Sequence, residues 1–146
     1  MKKKKIRSFI VIFFLIFITS KVHAAINNSV IIAVGNLPIT YLDLVKEMKI
    51  ISIISNNKID DSNREQIKGI AVKTLVKRKI KEIEINKYNI EDYNKNDLEK
   101  LIIKTSVNIG TDKEGLKDIM RINNLSFEEI TKRFQVDLKW NSLIFQ

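Results

Sequence analysis

A chain of 146 residues with 26 Lys and Arg against 17 Asp and Glu, a formal charge of +9, has room for one domain with a modest core. It contains no Cys and one His, His23. Beyond that position a thiol nucleophile, a His-based hydrolytic triad, disulfide staples and a typical zinc site are excluded, and no cofactor or metal is expected.

The first 24 residues read as a secretory leader. Lys2 to Lys5 and Arg7 form a basic start, Phe9 to Ile18 are ten unbroken apolar residues, and Val22-His23-Ala24 offers a small-residue cleavage site. A spanning helix needs roughly 20 apolar residues, so cleavage after Ala24 or Ala25 is expected, with an uncleaved membrane anchor as the rival. The membrane is then met only transiently, and residues 25–146 form the working domain outside the cytoplasm. Six basic residues leave with the leader, so 20 remain against 17 acidic ones. A basic protein points to nucleic acid only where cations cluster against phosphates. The surviving group, Lys73, Lys77, Arg78, Lys79 and Lys81, spreads around a helix as a solvated face, and no nucleic-acid partner is expected.

Val30-Ile31-Ile32-Ala33-Val34 reads as a buried strand entering a turn at Gly35-Asn36, and Pro38-Ile39 as a returning edge strand. Thr40 with Asp43 resembles a capping box that opens a helix at Tyr41. That helix runs to Ser55, before Asn56-Asn57, and Tyr41, Leu44, Val45, Met48 and Ile51 form its core-facing stripe. Asp43, Glu47, Ile50 and Ile54 make a second stripe that mixes two acids with two large apolar residues. Either Ile50 and Ile54 meet another helix of the domain, or they form an exposed binding strip.

Asp61 or Ser62 caps a long helix ending near Tyr88, with Ile67, Ile70, Ala71, Leu75 and Ile83 inward and Asn89 as a left-handed stop. Gly69 within it hints at close packing. Asp97 to Ile109 makes the next helix, stopped by Gly110, and Thr111 caps another over Asp112 to Ile122, stopped by Asn123-Asn124. Ser126 with Glu129 opens a final helix, Phe127 to Phe145. Its apolar arc is broad: Phe127, Ile130, Phe134 and Leu138 form one stripe, which Val136, Trp140, Leu143 and Ile144 widen. Neighbouring helices enclose that arc on two sides, or part of it is offered to a partner.

Acidic pairs at Asp60-Asp61, Glu91-Asp92 and Glu128-Glu129 fall at helix starts or loops, where capping and the helix dipole explain them. The heavy use of Ile, Lys and Asn reads as genome base composition, and charge and β-branched counts are discounted accordingly. No internal repeat or linker interrupts residues 25–146. The fold class is mainly α: a five-helix domain with a short N-terminal β hairpin.

Three stretches resemble the amino-terminal domain of SurA-type periplasmic chaperones. VIIAVGNLPITYLDL (Val30 to Leu44) is similar to that family's hairpin and first helix, and AVKTLVKRKIKEIEINKYNI (Ala71 to Ile90) to its long helix. LKDIMRINNLSFEEITKRFQVDLKW (Leu116 to Trp140) is similar to its helix, stop, cap and final helix. The resemblance implies an ATP-independent periplasmic chaperone that binds unfolded outer-membrane proteins through apolar strips. Ile50, Ile54, Phe134, Trp140 and Phe145 are the candidate client-binding residues on that reading. The chain ends at Gln146, about where the parvulin isomerase domain of longer members would begin, so isomerase activity is not expected of this polypeptide. Two other readings remain open: a structural or assembly subunit docking on a partner or as a homodimer, and an accessory chain to a peptidyl-prolyl isomerase.

Overall fold

A computed structural model describes residues 29–145; the expected leader, residues 1–24, and its cleavage site lie outside the described residues. Two strands open the fold, β1 over Val30–Val34 and β2 over Leu37–Thr40. They pair antiparallel as Val34↔Leu37, Ala33↔Pro38 and Ile32↔Ile39, and a bulge at Ile31 restores the pairing at Val30↔Thr40. Gly35 supplies the positive φ, +59°, at the first central position of the two-residue turn, where most other residues would be strained. One face of the hairpin, Ile32, Val34, Leu37 and Ile39, turns inward, while Ala33 and Pro38 face solvent. The expectation of a buried β1 is therefore corrected. Helices cover only one side of the sheet, so the strand is half-buried and Val30 and Ile31 stand exposed.

Five helices follow: α1 (Tyr41–Ile54), α2 (Arg64–Lys87), α3 (Lys95–Asn108), α4 (Lys113–Ile122) and α5 (Phe127–Ile144). The fold class read from the sequence, mainly α with an N-terminal hairpin, is the one observed. The start of α1 is the predicted capping box, in which Asp43 N–H donates to Thr40 Oγ1 at 3.1 Å and Thr40 N–H to Asp43 Oδ2 at 2.8 Å. At α5 the Glu129 carboxylate likewise accepts the Ser126 N–H at 3.0 Å. Three starts differ from expectation, the first being α3, which begins at Lys95 behind an Asn94 cap rather than at Asp97. Asp112 rather than Thr111 caps α4, accepting from Gly115 N–H at 2.8 Å. Ahead of α2, Asp60 Oδ1 accepts the N–H groups of Ser62 and Asn63, so a turn is completed first and the helix begins at Arg64. Those bonds, the Ser62 hydroxyl foremost, lower the Asp60 pKa from its ordinary value.

Helices α1 to α4 share one ending. Asn56, Asn89, Gly110 and Asn124 take left-handed φ, and the next residue returns its N–H to the helix: Asn57 to Ser52, Ile90 to Ile85, Thr111 to Ser106, Leu125 to Met120. This is the Schellman arrangement, and it satisfies carbonyls that would otherwise be orphaned. Asn is the ordinary residue tolerated there after Gly, and Asn56, Asn89 and Asn124 hold the stops expected at these places.

Two apolar cores result. Ile39, Leu44, Ala71 and Leu75 join the hairpin, α1 and α2. Ile50, Ile102, Leu116, Met120, Leu125 and Ile130 join α1, α3, α4 and α5. Helix α1 lies between them, so both of its stripes are covered: Met48 and Ile51 pack on the hairpin side, Ile53 and Ile54 on the helical side. Tyr41, at the end of the predicted stripe, is exposed. On α2 the inward set is Ile67, Ala71, Leu75 and Ile85. Ile70 is 45% exposed although Ile67 and Ala71 on either side of it are buried, so the covered face of α2 is narrower than the predicted one. Nor does Gly69 mark close packing, since a Cβ there would meet nothing within 4 Å.

Candidate functional site: a charged crevice and an open strand edge

Between Leu44 of one core and Ile50 of the other, α1 places Glu47, which is 1% exposed. A lone carboxylate there would be prohibitively costly, and it is held by cations from two other helices. Arg78 of α2 donates through Nη2 to Oε2, and Arg133 of α5 donates through Nη1 to Oε1 at 2.7 Å. Burial pushes the Arg133 guanidinium below its ordinary pKa and the nearby Arg78 adds to this, while Glu47 and Asp137 oppose it. These residues line a crevice of about 180 Å³ with Lys46, Lys79, Glu82, Glu129 and Lys132 at its walls. Lys46 pairs with Glu129 and Lys79 with Glu82. Asp43, also on the wall, turns Oδ2 to the Thr40 N–H and hydroxyl.

A second groove, of about 290 Å³, shares Glu82 and Lys132 with the crevice and reaches the hairpin at Leu37. Ile85 and Val136 contribute apolar surface there, and Asn86, Gln135 and Lys139 polar groups.

The hairpin adds an open edge. In a two-residue hairpin the pair flanking the turn exchanges both hydrogen bonds, so the next pair, Ala33 and Pro38, directs its backbone groups outward. Pro38 has no N–H to offer, which blunts the β2 side. Ala33 retains both groups, and among the described residues no strand pairs with that side of β1. The strand VIIAV carries no charge to repel an added strand.

Of the five residues singled out from the sequence, Ile50, Ile54 and Phe134 come together in the helical core, and Trp140 and Phe145 do not join them. Ile50 is 3% exposed and belongs to the helical core, against which Ile54 and Phe134 also pack. Of the two readings open for this stripe, contact with other helices of the domain is the one observed, and Ile50 is corrected from a client-binding candidate to a core residue facing α3, α4 and α5. Trp140 is half-buried with Lys81 Nζ 6.0 Å from its ring centroid, and Lys81 also binds Asp137. Phe145, at the end of α5, is 85% exposed.

Sequence reading missed the Glu47 cluster and the edge at Ala33. The cluster had a signal: an acid recurring on a stripe with Ile50 and Ile54 marks a buried ion pair as readily as an exposed strip. Of the basic group on α2, Arg78, Lys79 and Lys81 are engaged in ion pairs, and Lys73 and Lys77 are exposed. Among the described residues no cluster of His, Cys, Asp or Glu suits a metal ion, and no helix is long and apolar enough to cross a membrane. Comparison with known protein families, curated proteins and solved structures finds no match.

Proposed function

We propose that this protein is an ATP-independent periplasmic chaperone module, which holds unfolded outer-membrane proteins by adding an extended client segment to the free edge of β1. The open, uncharged edge of β1 at Ala33 carries this reading. Strands of outer-membrane barrels alternate apolar and polar residues. Such a strand can pair with β1 while turning one face toward the helices and the other to water. The leader pattern at residues 1–24 supports export.

The energetics suit holding rather than folding. Each new backbone hydrogen bond adds about 0.5–1.5 kcal/mol net, and each buried apolar side chain about 1.5–3 kcal/mol. Association and ordering remove much of that sum. Binding is then weak and sequence-tolerant, and release follows competition without nucleotide.

The test is light scattering of an unfolded β-barrel protein diluted into residues 25–146 without ATP. Suppression of aggregation is expected, and Ala33→Pro should abolish most of it. The lost N–H points away from β2, so circular dichroism and the melting temperature should be nearly unchanged. Full suppression by a folded Ala33→Pro variant excludes the edge.

A second reading, an assembly subunit docking on a partner or a second copy, draws on the exposed Ile144 and Phe145 at the end of α5. A tight dimer in sedimentation that Phe145→Ser dissociates would favour it.

A further inference from the structure

We propose that the crevice at Glu47 is a receptor for the free carboxyl terminus of a bound polypeptide. This rests on the client-binding reading and adds an anchor that the strand edge lacks.

The cluster is cation-rich by construction. Two guanidiniums share one carboxylate, each giving it one nitrogen. Among the described residues no buried side-chain nitrogen or oxygen lacks a partner. The other guanidinium N–H groups of Arg78 and Arg133 bond nothing else among the described residues, so they are not buried without a partner, and both residues line the crevice. Lys132 lines it too, is exposed and makes no ion pair among the described residues. Lys46 and Lys79 are neutralised by Glu129 and Glu82. The uncancelled positive charge therefore sits on the arginine pair and Lys132, against which stands the Asp43 carboxylate engaged at Thr40.

The geometry favours a carboxylate. Guanidinium presents parallel N–H groups that match the two oxygens of a planar carboxylate, and such charge-assisted bonds are about twice as strong as neutral ones. Arg78 and Arg133 repel each other in a half-buried site, so a second anion relieves a repulsion that Glu47 alone offsets only in part. The cavity is larger than a single water needs. Through Glu82 and Lys132 it borders the groove that begins at Leu37, which lets a segment on the apolar surface of Ile85 and Val136 place its terminal carboxylate among these cations.

Calorimetric titration of residues 25–146 with three probes tests this: a short peptide of alternating leucine and serine with a free C-terminal carboxylate, the same peptide amidated, and inorganic phosphate. The free acid should bind about tenfold more tightly than the amide. In Lys132→Ala, an exposed position where folding is not at stake, the ratio of acid to amide affinity should shrink to about threefold. Equal binding of acid and amide overturns the carboxylate receptor and leaves the client-binding reading standing. An undiminished preference in Lys132→Ala moves the carboxylate to another site and also overturns it. Binding of phosphate with no binding of either peptide marks a free-anion site and overturns both readings, as does the absence of all binding.

Discussion

The hairpin-side core and the helical core use the same aliphatic chemistry but are closed differently. Leu116, Met120 and Ile130 have no exposed surface, and helices α1, α3, α4 and α5 surround them. The hairpin-side core buries Ile39 and Ala71 as completely, yet its sheet is covered on one face, and Val30, Ile31 and Ala33 stand in solvent beyond it. A region enclosed by helices satisfies its backbone internally and offers a partner only side chains. A one-sided sheet offers backbone as well, and the open edge, groove and crevice all adjoin that half.

The largest effects should come from the enclosed core. Leu116→Ala is expected to cost about 4 kcal/mol in urea denaturation, because helices on all sides leave the cavity little room to collapse. Ile39→Ala should cost about 3 kcal/mol, since the hairpin can settle toward α1 and α2. Hydrogen exchange sharpens the contrast: Ile39→Ala should speed exchange in β1 and β2 more than in α4, whereas Leu116→Ala should speed it throughout. Identical exchange patterns from the two variants would show one undivided core and break the comparison.

Glu47 ties the halves together. Glu47→Ala leaves two guanidiniums facing each other without their carboxylate and is expected to cost about 3 kcal/mol. Each arginine keeps about a fifth of its side chain in contact with water, which holds the figure at the lower end for a broken buried pair. Because Glu47 lies between Leu44 and Ile50, its loss should also widen or split the unfolding transition. Replacing all three residues by apolar ones of similar size, Glu47→Leu with Arg78→Met and Arg133→Met, should recover most of the stability. A sharp, unshifted transition in Glu47→Ala would show that the halves are coupled by packing alone.

What the sequence reveals follows the reach of each interaction. Thr40 with Asp43, Ser126 with Glu129 and the stop at Asn89 are legible because cap and partner lie within a turn or two. The start of α2 is ambiguous because Asp60, Asp61, Ser62 and Asn63 are all capping types, and only the bonds to Asp60 decide among them. Thr111 and Asp112 pose the same choice between adjacent candidates. The functional geometry is less legible. Arg78 and Arg133 lie 31 and 86 positions from Glu47, so no local pattern decides that its stripe faces inward, and the choice between helix contact and exposed strip at Ile50 stays open in the sequence for the same reason. Ala33 is hidden differently, since its openness follows from how many layers cover the sheet.

The smallest effect has the opposite sign. Gly69 lies inside α2, exposed, and an added Cβ would touch nothing within 4 Å. Alanine there loses less backbone freedom on folding than glycine, so Gly69→Ala is expected to stabilise by about 0.8 kcal/mol and to raise the melting temperature by about 3 °C. The gain belongs to the hairpin half, because α2 carries Ala71 and Leu75 into that core. Exchange should slow along α2 and change little in α4, the reverse of the pattern expected for Ile39→Ala. Stabilisation spread evenly over both halves would mean that α2 and the helical core unfold together, and the distinction between an enclosed half and an open one would then describe shape rather than energy.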